Sequence, residues 1–378
     1  MKVTINKLEL VDCLKTITPF ISEKGIQNEP LVVNISNNQI CFSYYNDFLG
    51  VGIWSTITKD YQLDKDTTLE KLLEAETFTK IIPSFPGDTL FLNFSESKIQ
   101  ISDSNATQKV ALKYIDGAAH PPLEYAEITP IKINSTIFKQ ALNYSAPFVS
   151  KDITRPTMMM VKLKFAEDKL NYYSTDGQAQ IIYGHESINY PNSIEQSNIY
   201  IPGNIAERLV KICPNNVDIS LSTFKNFIIT KFDNLVLKIL PYIGEFDSQV
   251  EKYTLWESTP SFKINVGIFL QAIGILSVLS QNYVESAYKT LIQISQSKNN
   301  VIIGLINNTD TSFTIGATIS DFSPVIFRYE LMKNFVSQFP NDAEISVGKL
   351  SNSNLPYPPY KFHSLDKNFS MLLMETRL

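Results

Sequence analysis

A chain of 378 residues uses one short phrase twice: "TPFIS" at 18–22 returns as "APFVS" at 146–150. An internal repeat constrains a fold more tightly than composition does, because every copy has to build the same unit. The repeat widens when the sequence is anchored on Asn6, Asn134 and Asn265. Each Asn follows an apolar, polar, apolar triplet: Val3, Thr4, Ile5; Ile131, Lys132, Ile133; and Phe262, Lys263, Ile264. That alternation predicts a half-buried strand. Four residues after each Asn comes Leu10, Phe138 or Phe269; seven after, Cys13, Ala141 or Ala272; eight after, Leu14, Leu142 or Ile273. This spacing makes one apolar stripe of a helix, with the Asn as its N-cap.

A second phrase keeps the same period: "KIIPSFPGDTLFLNF", "RLVKICPNNVDISLS" and "KNFVSQFPNDAEISV". Alignment on Pro86, Pro214 and Pro340 puts Ile82, Val210 and Val336 four residues earlier and a Gly-Asp, Asn-Asn or Asn-Asp turn straight after. A helix that stops at a proline and a tight turn is expected to enter a strand, with Phe91, Ile219 and Ile345 at one register. Between these phrases run hairpin-like stretches such as "LVVNISNNQICFSYY" and "LIQISQSKNNVIIGLI". The reading is α+β: three homologous domains at 1–128, 129–256 and 257–378, each with two helices and about eight strands.

Composition narrows the function classes. With 44% hydrophobic and 19% charged residues the chain reads as globular, and its net charge of -5 argues against a protein that coats nucleic acid with a uniformly basic surface. A basic patch on an acidic body stays open. Cys13, Cys41 and Cys213 have no CxxC spacing and read as reduced structural residues. The longest apolar run, "VGIFLQAIGILSVLS", is too short to span a bilayer, so a cytoplasmic protein is expected. No GxxxxGK[ST], GxSxG or HExxH occurs, and His120, His185 and His363 are scattered among loop-like segments. Neither an enzyme nor a cofactor or metal is therefore expected. A β-rich binding module, for example for carbohydrate, is the alternative, although it leaves the helix phrases unexplained.

Longer stretches carry a resemblance. "SAPFVSKDITRPTMMMVKL", "LNYYSTDGQAQIIYG", "IPGNIAERLVKI" and the chain end "NFSMLLMETRL" follow one another in the order seen in the bacterial DNA polymerase III beta subunits, the sliding clamps. The chain resembles a divergent member of that family over its full length. It departs where the family has His-Arg after Thr-Asp-Gly, with Gln178 and Ala179, and where it has Pro-Met before the final Arg-Leu, with Glu375 and Thr376.

The resemblance implies a DNA-replication processivity factor: a head-to-tail homodimeric ring around double-stranded DNA, tethering polymerase III and clamp-loader subunits by short peptide motifs. The implied dimer surfaces carry Val110 and Leu112 in the first domain and Val278 and Leu279 in the third. The implied peptide pocket uses Met158, Thr175, Gly177, Gln178, Ala179, Gln180, Val250, Leu372, Met374, Glu375, Thr376 and Arg377. With the family's Arg gone and Glu375 added, its rim is expected to be more acidic. Candidate DNA contacts on polar helix faces and adjoining loops are Lys7, Lys15, Lys24, Lys80, Lys139, Lys151, Arg155, Arg208, Lys211 and Lys333. The helix after Asn265 carries no base, so the third domain is expected to touch DNA least.

Overall fold

The structure, a computed structural model, describes residues 1–21, 30–36, 38–64, 68–117, 119, 130–166, 169–186, 198–241, 258–281, 290–306, 311–320, 322–351, 359–364 and 369–376. Among them are six helices, two in each of the three repeated stretches, and 26 strands. The three anchoring asparagines all cap. Asn6 Oδ1 accepts from the N–H groups of Leu8 (2.8 Å) and Glu9 (3.3 Å), Asn134 Oδ1 from Thr136 (3.0 Å), and Asn265 Oδ1 from Ile268 (3.1 Å). Each cap satisfies a donor that the first helical turn leaves unpaired, about 1 kcal/mol apiece. The residues four, seven and eight positions on are all buried.

The repeated Pro-Phe phrase ends a helix. Helices Lys7–Ile17 and Ser135–Ser145 run 11 residues each, and both pass into a 3-10 turn, Thr18–Phe20 or Ala146–Phe148, whose proline lacks the N–H that a continuing helix needs. Phe20 and Phe148 then fold inward and are fully buried. In the third copy Val278 and Leu279 occupy the equivalent positions. With no proline to stop it, helix Val266–Ser280 continues to 15 residues, and Val278 and Leu279 stay 69% and 38% exposed.

The second phrase shows one departure from expectation. Ile133 pairs with Ile219 and Ile264 with Ile345, but Ile5 pairs with Leu90 rather than Phe91. The turn after Pro86 is one residue shorter: Asn6 faces Thr89, three past its proline, whereas Asn134 and Asn265 face Asp218 and Glu344, four past theirs. A one-residue change reverses the faces of a strand. Leu90 and Leu92 therefore point into the core, while Phe91 lies half-buried on the other side under the Lys2 ammonium, 4.5 Å from its ring centre.

The chain groups into two compact units. The first holds the described residues of 1–139 and 207–241. Its five-stranded antiparallel sheet runs in the order Tyr61–Leu63, Lys2–Asn6, Thr89–Phe94, Lys98–Asp103, Lys109–Lys113. Its eight-stranded sheet runs Ile131–Asn134, Asp218–Phe224, Phe227–Phe232, Leu235–Ile239, Val51–Ile57, Gln39–Asn46, Pro30–Ser36, Leu69–Glu74. The pairing of Leu237 with Ile53 makes that sheet continuous between the first and second copies of the repeat.

The second unit holds the described residues of 140–186, 198–206 and 258–376. A nine-stranded sheet runs Asn198–Pro202, Met160–Ala166, Lys169–Thr175, Ala179–Glu186, Phe369–Leu373, Tyr360–Ser364, Glu344–Leu350, Ser258–Asn265, Thr318–Ile319. A four-stranded sheet runs Ser312–Gly316, Asn300–Leu305, Leu291–Ser297, Val325–Arg328. The seam between second and third copies pairs Ile181 with Met371. Aromatic rings lock it: Phe369 stacks on Tyr144 at 4.6 Å and meets Phe335 of helix Tyr329–Val336 at 4.8 Å. Such contacts add about 0.5–1.5 kcal/mol each beyond the area they bury. They fix that helix relative to the strand Phe369–Leu373, and so fix both walls of the groove described next.

Candidate functional site: a groove at the chain end

After Leu373 the chain leaves its strand but remains pinned. Met374 N–H donates to the Gln178 carbonyl at 2.9 Å, and Thr376 N–H to the Ile326 carbonyl at 2.8 Å. The tail closes one side of a groove of about 270 Å³ lined by Gln178, Arg328, Leu331, Leu373, Met374, Glu375 and Thr376. Met374 is 39% exposed, an adaptable thioether at the mouth of the groove. The hydroxyl of the buried Tyr360 is pushed up to about 12, chiefly by burial and secondly by the Glu375 carboxylate.

Four of the residues expected in a peptide pocket, Gln178, Met374, Glu375 and Thr376, thus meet at one groove. Others hold its neighbouring turn. Thr175 Oγ1 donates to the Ala179 carbonyl (2.8 Å) and accepts from Gly177 N–H (3.0 Å); Thr175, Ala179 and Gln180 are buried. Gly177 has φ +88°, and a Cβ there would come within 3.3 Å of Arg155 Nη1 and 3.8 Å of Met158 Sδ. The positive φ is what calls for a glycine, since the flexible end of Arg155 could give way to a Cβ. Met158 and Arg155 therefore gather at the turn just before Gln178. Leu372 is buried and does not line the groove, whereas its neighbour Leu373 does. Val250 and Arg377 lie outside the described residues.

Arg328 and Leu331 were not among the expected pocket residues. They sit at the start of helix Tyr329–Val336, more than 40 residues before the chain end, and the bond from Thr376 to Ile326, with the Phe369–Phe335 ring contact, brings them beside the tail. The available signal was their spacing: three residues apart across a helix start, they share one face.

The candidate DNA contacts differ in how free they are. Lys7 donates to the Phe85 carbonyl, Lys139 to that of Cys213 (3.4 Å) and Arg208 to that of Pro19 (2.8 Å). Lys15 pairs with Asp12 at 2.9 Å, Lys80 with Glu76, and Arg155 with Asp152 at 3.7 Å. These pairs are exposed and worth no more than about 1 kcal/mol each, so a phosphate can compete for either partner. Among the described residues Lys151, Lys211 and Lys333 are exposed and have no ion-pair partner. Lys24 lies outside the described residues.

Of the expected dimer residues, Val110 and Leu112 are half-buried on Lys109–Lys113, which among the described residues pairs only with Lys98–Asp103 and forms a sheet edge. Val278 and Leu279 are the exposed end of the elongated helix. Unpaired backbone at such an edge and apolar side chains in water are both features that association with another chain removes.

Among the described residues no cluster of His, Cys, Asp or Glu could hold a metal ion, and no helix is long and apolar enough to cross a membrane. Burial pushes the thiols of Cys13 and Cys213 up to about 12 and raises that of Cys41.

No protein-family model and no curated protein matches the chain. Solved structures do. The DNA polymerase sliding clamp of Bacillus subtilis superposes with a TM-score of 0.84 at 19% identity, covering 100% of this chain and 99% of that one. The beta subunit of DNA polymerase from Streptococcus pyogenes does so with a TM-score of 0.86 at 14% identity, and the DNA polymerase III beta chain of Streptococcus pneumoniae with 0.86 at 16%, each over 100% of both chains. From its first residue to its last, the chain is similar to the DNA polymerase III beta subunits and has the sliding-clamp fold, in a sequence far diverged from theirs.

Proposed function

We propose that the protein is a DNA sliding clamp: three clamp domains, 1–128, 129–256 and 257–378, in a chain that pairs head to tail with a second copy and encircles duplex DNA. The observation that carries this reading is the end-to-end superposition on clamps at TM-scores of 0.84 to 0.86, with no part of the fold left over. The residues of this chain add support. An open edge at Lys109–Lys113 and the apolar helix end at Val278 and Leu279 are two unlike surfaces that can join in a closed, two-fold ring. Lysines held loosely in exposed pairs suit contact with phosphates that has to let DNA slide.

In this reading the protein catalyses nothing and works in the cytoplasm. It retains DNA by topology and holds polymerase and loader subunits through short peptides seated in the groove beside Met374. Retention on DNA tests it. Loaded on a nicked circle by an ATP-driven clamp loader, the protein should remain bound at a salt concentration that dissolves ordinary phosphate contacts, and should leave once the circle is linearised. Equal loss from circle and line would mean a simple basic patch instead.

A further inference from the structure

The two seams between copies of the repeat follow one plan but are filled differently. Where the seam of second and third copies pairs Tyr183 with Phe369, the same rung of the ladder between first and second copies pairs Ser55 with Leu235. The helix residue ten positions after the capping Asn is Tyr144 at the later seam and Thr16 at the earlier one. At the later seam these positions hold three buried rings in contact: Tyr144 stacks on Phe369 at 4.6 Å and meets Tyr183 edge-on at 5.3 Å. At the earlier seam no ring stands at any of the three. Thr16, Ser55 and Leu235 instead line a cavity of about 280 Å³ that shares no residue with the chain-end groove.

The lining of this cavity divides by chemistry. Its inner part is apolar, with Ile57, Phe232 and Leu235 all buried. Its outer part carries three carboxylates, Glu9, Asp12 and Asp233, and among the described residues no Lys or Arg lines it. Glu9 and Asp12 are held by Lys59 and Lys15 at 3.9 and 2.9 Å, in exposed pairs weak enough for another cation to displace. Asp233, exposed on the turn between Phe227–Phe232 and Leu235–Ile239, has no ion-pair partner among the described residues.

An apolar cavity of about 150 Å³ already admits a benzene ring, so this one has room for a ring and a short chain. The rings at the later seam show which shape packs at this place in the repeat, and the carboxylates set the charge that complements it. We propose that the cavity binds an aromatic amine, its ring lying among Thr16, Ser55 and Leu235 and its ammonium meeting Asp233, Glu9 and Asp12 at the mouth. An anion would be repelled by all three carboxylates, and an uncharged ring would leave them without a partner. The bound amine would tie helix Lys7–Ile17 of the first copy to the hairpin Phe227–Ile239 of the second, where the later seam uses its own side chains.

The test uses the full-length protein and 2-phenylethylamine, with 2-phenylethanol and butylamine as probes that lack the charge and the ring. Calorimetry should show one saturable site for the aromatic amine, about fivefold weaker binding of the alcohol, the size of one exposed charge pair, and no saturable binding of butylamine. Thr16→Tyr and, separately, Leu235→Phe return a ring to the cavity, and each should abolish binding of the aromatic amine. Asp233→Asn alters an exposed turn residue whose φ of +47° Asn also tolerates; it should weaken the amine about fivefold and leave the alcohol within about twofold. No saturable binding of the aromatic amine, or binding unchanged in Thr16→Tyr and Leu235→Phe, would overturn the site. Alcohol bound as tightly as the aromatic amine would overturn the role of the carboxylates, and butylamine bound as tightly would overturn the role of the ring; either result contradicts the proposal.

Discussion

The N–H of Met374 donates to the carbonyl of Gln178 at 2.9 Å, which ties the last strand's extension to a turn nearly two hundred residues earlier. Three of the residues that depart from the clamp pattern, Gln178, Glu375 and Thr376, consequently line one groove. Truncating Met374 to Ala removes apolar surface while leaving this backbone bond in place. The expected loss is about 1–2 kcal/mol, near tenfold in Kd for a docked peptide. Deleting residues 374–378 should abolish binding. Calorimetry checks both, with the far-ultraviolet circular dichroism of each variant expected to match the wild type.

Self-association should depend on the elongated helix Val266–Ser280 of the third copy. An aspartate at Leu279 or Leu112 would be buried unpaired in a joined surface, at a cost of about 3–5 kcal/mol. Each variant is expected to sediment as a monomer. Leu8→Asp, a change at a residue 65% exposed on a different helix, should leave the sedimentation coefficient as it was.

Much of the fold was legible because it was written three times. The Asn caps and the buried stripe could be read from spacing alone, since a cap and a 3.6-residue period are local properties. The register around Phe91 could not, because it hinges on one residue fewer in a turn, which a repeat aligned on prolines conceals. The groove was legible only in part. Met374, Glu375 and Gln178 lie in stretches with a recognisable pattern, whereas the spacing of Arg328 and Leu331 puts them on one face of a helix start without saying that long-range contacts bring that face to the tail. Leu372 came from the resemblance, whereas its neighbour Leu373 lines the groove; buried residues run consecutively at the end of that strand, so alternation does not separate the two.

Removing a cap tests the repeat directly. Asn265→Ala leaves the Ile268 N–H without its acceptor and should lower unfolding stability by about 1 kcal/mol, read as a lower urea midpoint at unchanged m-value. Because Asn6 and Asn134 do the same work, Asn6→Ala and Asn134→Ala should cost similar amounts.

His363 should contribute to acid sensitivity. Its Nδ1 lies 2.8 Å from Ser370 Oγ across paired strands, and burial, reinforced by the charge of Lys361, holds its pKa below the ordinary 6.5. Above pH 6.5 the ring is neutral folded or unfolded, and the stability it allows is fully present. As the pH falls below that value the unfolded chain takes up the proton first, so stability is lost toward the lower folded pKa. His363→Gln should flatten the slope of unfolding free energy against pH between about 7 and 5. An unchanged slope would assign the acid sensitivity to the carboxylates alone.

The mass of the native protein in dilute solution is the most direct check on ring formation. The chain weighs 42.8 kDa. Multi-angle light scattering at micromolar concentration should return twice that mass, unchanged on tenfold dilution, because a ring that holds DNA by topology has to stay closed. A mass of 42.8 kDa at that concentration would contradict a dimeric ring and leave the protein with the clamp's fold without its assembly.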